Sequence, residues 1–79
     1  MDFKRFISNV IQDILNVDVY DSIEVPPDKS MGDFAFPCFK LAKELKKSPK
    51  DIAEDLKSKI YNESISKVEV VGAYLNFFL

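Results

Sequence analysis

A chain of 79 residues, 47% of them apolar and 30% charged, has room for one small core and none for a deep catalytic cleft. Its net charge of −2 hides an asymmetry, because residues 1–39 carry three basic and seven acidic side chains whereas residues 40–79 carry eight and six. The single cysteine excludes an internal disulfide, the lack of histidine removes the commonest general base and metal ligand, and no apolar run reaches the ~18 residues of a membrane span. With acids and amides interrupting the apolar residues at the N-terminus, there is no signal-peptide core either, so a reducing cytoplasm is expected and a membrane is not.

In chain order, Asp2 is placed to cap a helix along which Phe3, Phe6, Ile7, Val10, Ile11, Ile14 and Leu15 recur at three- and four-residue intervals. Asn16 to Asp21 is polar and turn-prone. Ile23 and Val25 then alternate with Ser22 and Glu24 and predict a short strand, which Pro26-Pro27 must end because proline donates no ladder hydrogen bond. Asp28 to Gly32 is a loop, and Gly32-Asp33 reads as the turn into a second helix, with Asp33 as its cap and Pro37 in its first turn. Pro37 pushes Phe36 away from helical geometry, which leaves the start of that helix open by several residues. Cys38, Leu41, Ala42 and Leu45 supply its apolar stripe, and a cysteine on that stripe reads as a buried structural thiol. Ser48-Pro49-Lys50-Asp51 opens a third helix, with serine at the cap, proline at the first position and Ile52, Ala53, Leu56 and Ile60 as the core face.

Asn62 to Ser66 leads to the most informative stretch, Val68 to Leu79 (VEVVGAYLNFFL), which predicts a β-hairpin. A two-residue loop with Gly72 in its first central position suits a type II′ turn, and that turn sets the register. Val71 then faces Tyr74 and Glu69 faces Asn76 on one side of the hairpin, while Val70 faces Leu75 and Val68 faces Phe77 on the other. The second face is wholly apolar and must be core. The first aligns a tyrosine ring, an amide and a carboxylate, with Phe78 on the same side, and such a set can stack on a flat group and hydrogen-bond its edge.

The order helix, strand, helix, helix, strand, strand predicts a small α+β domain whose antiparallel sheet, ending in a C-terminal hairpin, is packed on one face by about three helices. The chain is read as one domain, residues 1–79, and its strongly apolar last strand is read as the point where it was excised from a longer protein. Five lysines, Lys40, Lys43, Lys46, Lys47 and Lys50, stand against a single Glu44 in the stretch 40–50, and they are candidates for phosphate contacts.

The runs EVPPDKSMGDFAFPCFKLAKEL (Glu24 to Leu45) and VEVVGAYLNFFL together resemble the N-terminal additional domain of arginyl-tRNA synthetases, in order and over essentially the whole chain. The resemblance implies an α+β module that precedes a class I catalytic domain and binds arginine tRNA at the D-loop, the outer corner of the L. It implies that an aromatic and an amide from the strand after the turn hold an exposed D-loop base; here these match Tyr74 and Asn76. Val71, Gly72 and Ala73 match the approach to and the tip of the turn, where Val71 replaces a polar residue of some relatives and Ala73 the usual proline. GDFAFP, Gly32 to Pro37, is the most recognisable stretch, and its expected role is architectural.

This fragment is not expected to catalyse. The class I signature HIGH cannot occur without histidine, KMSKS is absent, and no glycine-rich phosphate loop is present. No cofactor or metal is expected in it; ATP with magnesium is implied for the catalytic domain of the parent chain, which is also an implied partner. The competing reading of the same residues is a protein-interaction module that uses the exposed hairpin face.

Overall fold

A computed structural model describes residues 2–79. Helix α1 (Phe3–Leu15) begins where the Asp2 carboxylate accepts a hydrogen bond from the Arg5 N–H at 3.1 Å, and ends at Asn16 in the left-handed region, φ 59°. Strand β1 (Phe34–Pro37) follows a long irregular segment with two 3-10 turns. A third 3-10 turn, Cys38–Leu41, runs into the short helix α2 (Ala42–Leu45), which Lys46 ends at φ 54°. Helix α3 (Pro49–Lys59) starts with Pro49 in its first turn and with the Ser48 hydroxyl accepting from the Asp51 N–H at 3.1 Å. Strands β2 (Lys67–Val71) and β3 (Tyr74–Phe78) complete an antiparallel sheet of order β1-β3-β2.

This is the expected α+β fold, and the hairpin register is the expected one, residue for residue: Val71 with Tyr74, Val70 with Leu75, Glu69 with Asn76 and Val68 with Phe77. Gly72 has φ +59°, and Ala73 is not among the positive-φ residues, so the unusual geometry is confined to the first central position, as in a type II′ turn. Side chains alternate across each strand. One face therefore presents Phe36, Leu75 and Phe77 to Ile7 and Ile11 of α1 and to Ile52, Ala53 and Leu56 of α3, all buried in one cluster. Each such fully buried large side chain contributes about 1.5–3 kcal/mol.

Two expectations in the middle of the chain are corrected. Ile23 to Val25 is not a strand: only Glu24 pairs, in a single antiparallel bridge to Ala35, Ile23 turns into the core, and Val25 is 71% exposed. The strand is instead FAFP, the second part of GDFAFP, and Asp33 and Pro37 do not start a helix. Phe34, Ala35, Phe36 and Pro37 pair with Phe77, Asn76, Leu75 and Tyr74. The residue before a proline prefers extended geometry, so Phe36 is at home in a strand. Ala35 turns its own N–H and C=O outward to Glu24. By the alternation of the ladder Pro37 also points its nitrogen to the outside of this edge strand, where a missing donor costs little.

Gly32 and Asp33 fasten this strand to β3. Asp33 donates its N–H to the Phe77 carbonyl at 2.8 Å, and its carboxylate accepts the Leu79 N–H at 2.9 Å. Gly32 has φ +104°, and a Cβ added there would lie 2.8 Å from the Phe77 oxygen. Only glycine permits both that backbone angle and that approach.

Candidate functional site

The outer face of the sheet, opposite the helices, carries Val71, Tyr74 and Pro37 in one row, Glu69, Asn76 and Ala35 in the next, and Lys67 with Phe78 beyond. β3 is the middle strand, so Tyr74 and Asn76 project from the best-supported backbone of the sheet. They share a face, as the turn register requires. Their surroundings differ. Tyr74 is half-buried, whereas Asn76 is 1% exposed, so the amide lies beneath the surface and not on an open platform. Neither Asn76 Oδ1 nor Nδ2 has a hydrogen-bond partner in the protein. A buried amide left unpaired costs about 1–3 kcal/mol, and buried side-chain polar atoms are mostly satisfied.

Glu69 does not supply the missing partner. Its Oε2 lies 3.2 Å from the Lys67 Nζ, which also stands 4.5 Å over the Phe78 ring. Lys67 thus partly neutralises the Glu69 carboxylate, although an exposed pair of this kind contributes little to stability.

At the tip of the hairpin, Gly72 has no neighbour that a Cβ would meet within 4 Å, Val71 is 40% exposed, and the Ala73 carbonyl accepts the Cys38 N–H at 2.9 Å. That bond brings the 3-10 turn after β1 against the hairpin, and with it Phe39, whose ring stands perpendicular to Tyr74, 89° between planes and 6.0 Å between centroids. Phe39 is 48% exposed. Its only sequence signal is that it stands off the apolar stripe of Cys38, Leu41, Ala42 and Leu45.

The five lysines fall on different elements. Lys40 directly follows Phe39 and Lys43 lies in α2, whereas Lys46 and Lys47 fall between α2 and α3 and Lys50 in the first turn of α3. All five are exposed. Lys47 lines a cleft of about 250 Å³ with Ile14, Ile52, Asp55 and Lys59, on the helical side of the molecule. A second cleft, of about 300 Å³, lies by Lys57, Tyr61 and Ser66, also away from Tyr74.

Cys38 is fully buried, and burial pushes its thiol up to about 11, so it stays protonated at neutral pH and is a core side chain. Among the described residues no group of three or more histidine, cysteine, aspartate or glutamate side chains could hold a metal ion, and no helix is long and apolar enough to cross a membrane.

The family model described as the arginyl tRNA synthetase N terminal domain matches residues 1–79. The chain is 51% identical over 82 residues to the arginine–tRNA ligase of Clostridium botulinum strain Hall, covering 100% of this chain and 15% of the relative. It is 49% identical to that of Clostridium acetobutylicum and 44% identical to that of Pediococcus pentosaceus, again over 100% of this chain and 15% of each relative. Its fold is similar to a solved arginyl-tRNA synthetase of Thermus thermophilus, with a TM-score of 0.76 and 32% identity over 96% of this chain and 14% of that one. The chain thus spans 15% of the length of the curated relatives it matches.

Proposed function

This chain belongs to the arginyl-tRNA synthetase N-terminal domain family, and on that premise we propose that it is the tRNA-binding module of a longer arginine–tRNA ligase. The whole enzyme would attach arginine to its tRNA in an ATP- and magnesium-dependent reaction. This module would hold the outer corner of the tRNA at the D-loop, so that the acceptor end is oriented toward a distant catalytic domain. Tyr74 is the stacking surface for an unpaired D-loop base, and the Asn76 amide, able to donate and accept, reads its edge. Lys40 and Lys43, nearest in sequence to the hairpin contact, supply sequence-blind phosphate attraction.

The observation that carries this reading is the unpaired, buried Asn76 amide beside an aromatic ring on the face the helices leave uncovered. An apolar residue would suit the free domain better at this position, and a base edge supplies the partners the protein does not. Because Asn76 is covered, base reading includes a side-chain movement that exposes it.

The test is an NMR titration of the labelled chain with arginine tRNA, repeated with D-loop bases altered and at raised salt. Shifts centred on Tyr74 and Asn76 that fade with one altered base, and an affinity that falls steeply with salt, are expected. Shifts unaffected by salt and by the tRNA, appearing instead with the catalytic domain, would make the face a protein-docking surface and overturn the assignment.

A further inference from the structure

We infer that Phe39 is a second base-binding residue, and that Phe39 and Tyr74 form an aromatic corner that receives an unpaired planar nucleobase. The inference rests on the reading of Tyr74 and Asn76 given above and extends it to a residue outside the hairpin.

Phe39 is held at that spot by the backbone on its N-terminal side. Pro37 pairs with Tyr74, the Cys38 N–H is bonded to the Ala73 carbonyl, and the Cys38 side chain is buried in the core. A large aromatic ring with this much fixed backbone beside it is usually packed away, yet Phe39 leaves about half its surface in water, 48%. Its perpendicular contact with Tyr74 leaves two ring planes meeting at a right angle. A planar group stacked on either ring meets the other ring along its edge, so both rings touch the same base whichever one carries the stack. Val71, 40% exposed, is the cross-strand partner of Tyr74 and adds an apolar flank. Asn76, two residues along the same face of β3, supplies the only buried side-chain polar atoms without a partner on this side of the sheet among the described residues. Apolar walls with one amide suit a neutral heteroaromatic ring with hydrogen-bonding edges. They do not suit a charged peptide.

The experiment uses the full-length ligase that carries this domain. Arginine tRNA is prepared in three forms: unaltered, with a fluorescent purine analogue at each unpaired D-loop position in turn, and with the corresponding abasic site. Affinity and fluorescence quenching are measured for the parent sequence and for Phe39→Ala, Phe39→Leu and Tyr74→Ala. Phe39→Ala should weaken binding of the unaltered tRNA about fivefold to tenfold, leave binding of the abasic tRNA unchanged, and reduce quenching at one position only. Phe39→Leu, which keeps an apolar side chain at the site, should fold with unchanged circular dichroism and show the same base-dependent loss to a lesser degree.

Equal losses on unaltered and abasic tRNA, or no loss at all, would overturn the role of Phe39. If Tyr74→Ala still lost affinity only for the tRNA that has the base, the reading of Tyr74 would survive that failure. If neither Phe39→Ala nor Tyr74→Ala depended on the base, the reading of the whole face would fall, and with it this inference.

Discussion

Replacing Asn76 by valine should make the domain more stable and less able to bind tRNA. The amide is 1% exposed, and neither of its polar atoms is hydrogen-bonded. Valine is close to asparagine in size, brings no polar atom and suits a strand better. Removing two unsatisfied polar atoms should return roughly 1–2 kcal/mol, within the ~1–3 kcal/mol that such burial costs. For a domain of this length about 1 kcal/mol corresponds to a 4–8 °C shift, so the melting temperature should rise by roughly 4–16 °C. Urea unfolding of the two proteins should show a higher midpoint with an unchanged slope. Asn76→Asp is the matched contrast, since it would bury a carboxylate opposite Glu69. The folded state would raise that pKa above the unfolded value of about 3.9, so the variant's deficit should be present at neutral pH and shrink as pH falls through and below the raised value. If Asn76→Val lowered the urea midpoint, the amide would have a partner in the free protein, and the argument that it waits for a base would fail.

Four further substitutions can be checked in the same way. Gly32→Ala should cost about 2–4 kcal/mol, because it combines a backbone angle nearly reserved for glycine with a 2.8 Å approach to the Phe77 oxygen that Asp33 also uses. Gly72→Ala, at φ +59° with nothing within 4 Å, should cost only about 1–2 kcal/mol in thermal melts, and equal costs at the two sites would refute the close-approach account. Ser48→Ala should lose about 1 kcal/mol through the Asp51 N–H it leaves uncapped, with an effect below about 0.3 kcal/mol counting against the cap. The Cys38 thiol ionises at its ordinary 9.0 when unfolded and at about 11 when folded, so the unfolded chain loses this proton first. Stability from this group is therefore intact below pH 9.0 and declines as pH rises toward about 11; Cys38→Ala should remove that part of the pH dependence, as seen by comparing unfolding midpoints of the two proteins across the range.

The two longer helices and the hairpin were legible in the sequence because each is specified locally. A three- and four-residue apolar period with a capping residue suffices for α1 and α3, and a two-residue loop with glycine first determines which residues face one another across β2 and β3. β1 is different. FAFP has no turn to a neighbouring strand, its partner lies ~40 residues on, and Gly32, Asp33 and Pro37 are each residues that also open helices. Only the bias of Phe36 before a proline pointed to extended geometry. At the site, alternation gave the face of Asn76 but not its burial, since coverage of an outer face depends on side chains from elsewhere in the chain. Phe39 was illegible for the same reason: its value comes from contact with Tyr74, and the link between them is a backbone bond from Cys38 to Ala73 that no periodicity reveals.

The strand order has a consequence for how the molecule is made. β1 and β2 never touch, and each finds its partner only in β3, the last strand in chain order. During synthesis from the N-terminus, α1 and α3 therefore emerge with apolar stripes that have no sheet to cover, and β1 waits with its inner edge open. Closing the sheet brings together segments far apart in sequence, which is the slow kind of contact to make. The same strand carries Tyr74 and Asn76. A half-made or misfolded copy consequently lacks the face proposed to hold a base, which is assembled only in the step that completes the fold.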